Sequence, residues 1–424
     1  MRGKLAVVWM VLICGGAAMA QGSQADTLKM LMRQVDMLTR ELEKEELGDV
    51  AGRTYESRYG LAEAASQVYQ ASGTGVTLAG YGELVYENYG ADRDDGEPSG
   101  KRDQIDALRQ ILYVGYRFND RFVFNSEIEF EHGKAGEGQP GAVSLEFSYI
   151  DMLITPAFNV RAGMVLAPVG IVNELHEPPT FFGALRPEVE RNLIPSTWRV
   201  IGAGIHGATE AGLSYRAYVV EGFNAAGFSA SGIRSGRQNG AKAAAEDFGL
   251  TGRLEYLGIP GVQVGVSGYF GNSGQSVGEG GLDVATSLLS AHATVERNGV
   301  EARALVVRGT IGDAEELTMA RELNDPIGET QLGYYGAIGY DVLGALRPGS
   351  TAQVLPFVQY ERLNTQESVP DGYTANPANE RTNLTLGVMV RPIRQIALKL
   401  DYINRDNEAG TATDQFNIGL GYYF

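Results

Sequence analysis

The stretch DALRQILYVGYRFNDRFVFNSEIEFEHG, residues 106–133, decides the fold. In an extended strand successive side chains point to opposite faces. Leu108, Leu112, Val114, Tyr116 and Phe118 therefore share one face, Asn119-Asp120 turns the chain, and Phe122, Phe124, Ile128 and Phe130 resume that apolar face. The opposite face carries Arg109, Tyr113, Arg117, Asn125, Glu127 and Glu129. Charges spread along the middle of a strand are not tolerated unpaired in the dry core of a sheet sandwich. A barrel whose apolar face meets lipid and whose polar face lines water accommodates both, and closure removes every exposed sheet edge.

The same unit recurs at 158–164, 213–219, 262–266 and 296–303, and from Leu384 through Pro392 to Leu400. Tight connections near 119, 156, 210, 259, 298, 346 and 393 alternate with longer polar ones near 91–104, 133–142, 169–196, 224–246, 273–283, 312–330, 363–381 and 407–412. Short turns on one rim and long loops on the other are the asymmetry of an outer-membrane barrel, and the segments number about sixteen, an even count as single-chain bacterial barrels require. The expected fold is all-β, a transmembrane antiparallel barrel. Its last stretch, TDQFNIGLGYYF (413–424), places Phe416, Ile418, Leu420, Tyr422 and Phe424 on one greasy face. Alternation slips near Tyr81, Tyr149 and Ile201, so the pattern does not assign inner and outer faces there.

The rest of the chain bounds this reading. Arg2 and Lys4, the apolar run Leu5–Ile13 and a small-residue cut site after Ala20 read as an export signal over residues 1–20. Gly15 and Gly16 stop that run short of a membrane-spanning helix. The single cysteine, Cys14, lies within it; lipoprotein acylation there is the second reading, disfavoured by Ile13 where a small residue is normally wanted. A net charge of −17, two units more negative without the signal, argues against nucleic acid as a partner. The 56 glycines and 21 tyrosines suit strands and turns. Leu28, Leu31, Val35, Leu38 and Leu42 form a heptad seam over 25–46, read as a short coiled-coil helix or as one amphipathic helix lying on the protein. Residues 47–75 read as a weakly structured linker, so 21–75 form a periplasmic helix and linker and 76–424 the barrel.

Catalytic and cofactor signals are weak. GAGIHG (202–207) has dinucleotide-loop spacing, but no helix follows it. Asp92, Asp94, Asp95, Glu97 and Asp103 do not fit a calcium-loop register and read as a solvated outer loop. His132, His176, His206 and His292 lack metal-ligand spacing, and no nucleophile, base and orienter set is visible. The expectation is no enzyme, no cofactor and no metal.

The most informative region is Arg161–Gly207, where a strand ends near Pro168 and the next begins near Thr197. Pro178, Pro179, Pro187 and Pro195 exclude regular structure between them, and loops this long are usually functional. The runs APVGIVNE (167–174), HEPPTF (176–181) and NLIPSTWRVIGAGIHG (192–207) resemble the phosphate-selective porin O and P family. The resemblance covers the mature barrel and implies a sixteen-stranded homotrimer whose third loop folds inward and narrows the lumen. It also implies that the C-terminal aromatics, Tyr422 and Phe424, act as the signal read by the barrel-assembly machinery. The chain departs from the family in its lysines: only Lys29, Lys44, Lys101, Lys134, Lys242 and Lys399 follow the signal, none in the long loop. That departure puts phosphate specificity in doubt.

The loop instead holds Glu174, His176, Glu177, Arg186, Glu188, Glu190 and Arg191, the expected pore-constriction residues. Arg109, Arg117, Arg161, Arg216, Arg253, Arg303, Arg391 and Lys399 are expected to form a basic lumen wall facing it. Opposed charge across a narrow wet passage screens solutes by size and sign; the same pairs could equally brace the loop. The resulting expectation is an outer-membrane porin of a Gram-negative bacterium, surrounded by lipid and passing small hydrophilic solutes. The alternatives are a phosphate- or anion-specific channel and a structural tether.

Overall fold

The computed structural model describes residues 57–71, 73–278 and 281–424. The signal and heptad readings fall outside the described residues. Sixteen strands close into one antiparallel barrel in which each strand pairs with its neighbours in sequence. In order they are β1 Gly75–Tyr89, β2 Gln104–Arg117, β3 Phe122–Glu131, β4 Val143–Thr155, β5 Phe158–Leu166, β6 Arg199–Ala208, β7 Leu213–Glu221 and β8 Phe248–Ile259. There follow β9 Val262–Asn272, β10 Ala285–Arg297, β11 Val300–Ile311, β12 Thr330–Tyr340, β13 Gln353–Ser368, β14 Glu380–Ile393, β15 Ile396–Asn407 and β16 Gln415–Tyr423. Closure runs through β1 and β16, from Tyr81 opposite Tyr423 to Tyr89 opposite Gln415. Phe424 completes the seam: its N–H donates to the Gly80 carbonyl at 2.9 Å and its carbonyl accepts from the Gly80 N–H at 3.0 Å.

The period-two pattern maps onto the wall as expected. Val219, Leu254, Val266, Leu289, Leu386, Leu400 and Ile418 are exposed outward, while Glu127, Asp151, Arg161, Arg216, Lys399, Asp401 and Asn417 are buried inward. An outward charge at mid-height has no water to solvate it, so Val266→Arg is expected to cost about 2–4 kcal/mol. Equilibrium unfolding from lipid vesicles measures this.

All eight long loops lie on one rim. On the other, most turns are tight, but residues 341–352 are longer than expected because Val342–Leu346 form a helical turn capped by Asp341, whose carboxylate accepts from the Gly344 N–H. The ambiguous positions also resolve: Tyr81 and Tyr149 point inward and Ile201 outward. Near Tyr149 the cause is a β-bulge. Glu127 pairs with Phe147 but Ile128 with Leu145, so Glu146 is the extra residue. A bulge re-aims a side chain, and Glu146 and Phe147 are both buried on the lumen side.

The linker expected over 47–75 is corrected for its second half. Residues 61–69 are largely buried inside the short-turn end of the barrel, with a helical turn at Gln67–Gln70. Tyr69 donates its hydroxyl to Asp151 at 2.6 Å, and Asn125 donates to the Ala65 carbonyl at 2.9 Å. Glu63 pairs with Arg394 and accepts from the Tyr423 hydroxyl. Gly115 makes room: a Cβ there would lie 2.5 Å from the Val68 side chain. The small residues Ala62, Ala64, Ala65 and Ser66 allow this close approach to the wall, which the sequence pattern of the segment itself does not announce.

Candidate functional site: the segment folded into the bore

Residues 167–198 leave β5 and fold into the barrel. Their prolines prevent further strand pairing, so their backbone groups must find partners on the wall. The partners lie around almost the whole circumference. Gly170 N–H donates to Ser267 on β9 at 3.2 Å, and Arg303 on β11 donates to the Thr180 carbonyl at 2.5 Å. Arg391 on β14 donates to Pro179 at 3.0 Å, and Lys399 on β15 to Pro178 at 2.7 Å and Gly183 at 2.8 Å. Ala184 N–H donates to Asp401 at 2.6 Å and Val189 N–H to Glu361 on β13 at 3.2 Å. Apolar contacts complete the docking: Trp198 stacks on Phe223 with centroids 4.6 Å apart, and Phe182 on Phe357 at 5.2 Å.

The segment's carboxylates are all engaged. Glu174 accepts a hydrogen bond from Arg216 Nη2 at 3.0 Å and one from Arg253 at 3.1 Å, and its Oε1 lies 2.9 Å from Arg216 Nε as an ion contact. Glu255 holds the same two guanidiniums from the wall at 2.7 Å each. Glu177 accepts from the Ala64 and Ala65 N–H groups at 3.0 Å, which joins this segment to residues 57–71. Glu188 pairs with Arg405 and, at 3.3 Å, with Arg381. Burial works against its charge, but Arg405 and Arg381 outweigh it and hold its pKa below the ordinary value.

Glu190 closes the segment on itself. It accepts from Ile171 N–H at 3.0 Å, Val172 N–H at 3.1 Å and the Tyr335 hydroxyl at 2.9 Å, yet burial still raises its pKa. Glu190→Ala leaves three buried donors unmatched, each costing about 1–3 kcal/mol. The expected result is lower unfolding stability together with faster proteolysis within 167–198.

Most of the predicted basic wall is likewise neutralised. Arg109 faces Glu83 at 3.2 Å, Arg161 faces Asp151 at 2.7 Å, and Arg391 faces Glu301 at 2.5 Å. Arg117 lies at the turn rim, 3.6 Å from Asp120. Arg303 and Lys399 bind carbonyls and cover the Phe182 and Phe181 rings, at 5.1 and 3.8 Å. Tyr422 donates to Gln110 at 3.0 Å on the outer face, where Phe424 is exposed.

A different set of arginines keeps its charge uncompensated. Arg186 donates to Thr197 Oγ1 at 2.9 Å, and Arg237, from the β7–β8 loop, donates to the Pro195 and Thr197 carbonyls at 2.8 and 2.6 Å. Arg234 donates to the Arg191 carbonyl at 2.5 Å. Among the described residues no ion pair reaches Arg186, Arg191, Arg234 or Arg237. Burial, reinforced by Arg237, Arg191 and Arg186, pushes Arg234 down to about 9. Burial and Arg199 push Arg237 down to about 10. A guanidinium does not give up its proton in a protein, so these shifts express burial first and neighbouring positive charge second, opposed at Arg237 by Glu146 and Glu131. Sequence alone does not single out Arg234 and Arg237, because their role depends on how the β7–β8 loop folds against residues 191–197.

Free space lies on both sides of the segment. A cavity of about 20 Å³ separates Leu185, Arg186 and Arg191 from Glu361, Asp401 and Arg405. Toward the short turns a cavity of about 580 Å³ is lined by Glu63, Thr180, Glu301, Arg303, Arg391 and Arg394. Beside residues 57–61 a third, of about 320 Å³, reaches Glu174, Arg216 and Arg253.

The fold is that of the porin class of transmembrane β-barrels. A Salmonella typhi OmpF structure, solved with daunomycin, matches with a TM-score of 0.53 at 14% identity, over 83% of this chain and 98% of that one. The anion-selective porin from Comamonas acidovorans matches at 0.51 with 12% identity, over 83% and 100%. The channel DcaP of Acinetobacter baumannii matches at 0.50 with 13% identity, over 83% and 98%. At these identities the likeness establishes the fold. No known protein-family profile matches the chain. An uncharacterized protein of Aquifex aeolicus (strain VF5) is 36% identical over 391 residues, covering 88% of this chain and 86% of the relative. The chain belongs to the family of that Aquifex protein.

Proposed function

We propose that this protein is an outer-membrane porin of a Gram-negative bacterium that passes small hydrophilic solutes with a preference for anions. The observation that carries the reading is an imbalance of ion pairs at residues 167–198 and the β7–β8 loop beside them. Glu174 and Glu188 are paired with arginines and Glu177 and Glu190 are enclosed by N–H and O–H donors, whereas Arg186, Arg234 and Arg237 meet only neutral oxygens and Arg191 has no ion pair among the described residues. A diffusing ion meets the charges left over, and these are positive. The Nε and Nη2 atoms of Arg186 are closed off from solvent and have no hydrogen-bond partner, so nothing beside them cancels the charge of that guanidinium. The acidic third loop expected from sequence thus acts as a brace, and its arginines set the sign.

The motifs at 167–207 support kinship with the phosphate-selective porins, and with it a trimeric assembly and a C-terminal signal for the assembly machinery. The lysine-poor wall argues for general anion preference over phosphate specificity. The N-terminal heptads fit a periplasmic coil that three chains could form together. The test is the reversal potential of the purified protein in a planar bilayer under a potassium chloride gradient. Anion selectivity is expected, and Arg186→Glu with Arg191→Glu should reverse it. Cation selectivity in the unaltered protein overturns the reading, and saturable block by millimolar phosphate replaces it with the phosphate-specific one.

A further inference from the structure

The sequence pattern assigns no metal ligands, yet folding gathers three ligand-type side chains from three separate elements. Glu127 comes from β3, Glu146 from the bulge of β4 and His176 from the segment in the bore. Their ligating atoms all lie within 4.8 Å of one another. The imidazole Nε2 stands 3.0 Å from Glu127 Oε1 and 3.2 Å from Glu146 Oε2. Ligand atoms about 2.0–2.2 Å from a tetrahedral zinc ion are themselves about 3.3–3.5 Å apart, so this spacing is close to that of a filled site.

Two further observations point to a ligand. His176 Nδ1 lies 3.0 Å from the Asn173 carbonyl, an acceptor-only group, so Nδ1 carries the proton. That is the outer contact that orients a metal-binding histidine, and it leaves Nε2, here hydrogen-bonded to Glu127, as the nitrogen that would exchange its proton for the ion. The carboxylates, moreover, are poorly satisfied. Glu127 and Glu146 are 0% and 1% exposed, and the Oε2 atom of each accepts no hydrogen bond. The cationic partner of Glu146 is distant, with Arg199 Nη1 3.5 Å from Oε1. Arg109 is drawn instead to Glu83 at 3.2 Å and Glu129 at 3.6 Å. The Tyr81 hydroxyl, fully buried in the same wall, also has no partner, and its ring stands 5.9 Å from the imidazole.

We propose that Glu127, Glu146 and His176 bind one divalent transition-metal ion of the zinc type, which staples the inward segment to β3 and β4. One nitrogen and two carboxylate oxygens form a borderline donor set that suits zinc better than calcium or magnesium. The ion would replace the Nε2 proton that faces Glu127 and Glu146 and bring one more positive charge to two buried carboxylates. The bulge acquires a purpose: it lets Glu146 and Phe147 face inward in succession, so the carboxylate is added to the lumen side without displacing the aromatic.

The experiment uses the full-length folded protein in detergent, stripped with EDTA and titrated with Zn²⁺ against a chromophoric chelator, with bound metal counted by mass spectrometry. About one ion per chain is expected. Glu127→Gln and His176→Gln should each weaken binding more than about a hundredfold, because even outer-shell partners are worth 10–100-fold. His132→Gln, on the β3–β4 loop, should leave binding unchanged. Should the variants fail to fold, Co²⁺ added to the unaltered protein decides: a tetrahedral ligand-field spectrum displaced by Zn²⁺ supports the site. Substoichiometric binding by the unaltered protein, retention of zinc by a folded His176→Gln, or a purely octahedral cobalt spectrum overturns it; the cluster is then an imidazolium between two carboxylates.

Discussion

Removing residues 57–71 is expected to raise single-channel conductance severalfold. These residues occupy the short-turn end of the bore, where Tyr69 is tied to Asp151, Ala64 and Ala65 to Glu177, and Glu63 to Arg394. Deleting them merges the spaces around Glu174 and Glu63 into one vestibule below the inward segment. The wall needs no replacement partner at Asp151, which keeps Arg161 at 2.7 Å. A single substitution should reproduce part of the effect. Gly115→Leu drives a side chain into the site of Val68, whose atoms lie 2.5 Å from where a Cβ on residue 115 would stand. It displaces the segment without altering a charged residue, so conductance should rise while ion selectivity stays constant. Equal conductance in native and deleted proteins would show that 57–71 do not obstruct the path.

The second large effect is expected at Glu174. Its carboxylate and that of Glu255 together neutralise Arg216 and Arg253, four charges with little contact with water. Breaking a buried pair by removing one partner costs about 3–5 kcal/mol, because the remaining charge is left uncompensated. Glu174→Ala should therefore detach the first half of the inward segment. Three readouts should move together: a lower denaturation midpoint, a lower voltage for channel closure and stronger anion selectivity from the freed guanidiniums. Arg253→Met in the Glu174→Ala background should restore part of the stability, since contacting residues are not additive. An unaltered closure voltage in folded Glu174→Ala would mean that the segment is held mainly by its backbone contacts and aromatics.

The barrel is legible in sequence because lipid and water impose opposite demands on alternate residues. Once Leu112, Val114 and Tyr116 face outward, Arg109, Tyr113 and Glu127 must face inward, and the turn and loop lengths then set the strand count. The inward segment is legible through its prolines and length. What its charges do is not, because a sequence shows Glu174 and Arg216 but not the 3.0 Å between them. The burial of 57–71 is hidden for a related reason: its small residues carry no periodic signal, and Gly115, which admits them, reads as one more strand glycine. His176 meets Glu127, 49 positions away, and Glu146, which stands unpaired at a bulge where two successive residues face inward; no spacing rule anticipates that. Arg234 and Arg237 lie on a loop whose course depends on tertiary contacts with residues 191–197.

A porin requires a water-filled path through this barrel past residues 167–198, and single-channel recording of the purified, folded protein in a planar bilayer reads that path out. Discrete, ohmic conductance steps that grow when 57–71 are removed are the expected result. A folded, inserted barrel that stays electrically silent both with and without those residues would contradict a porin function.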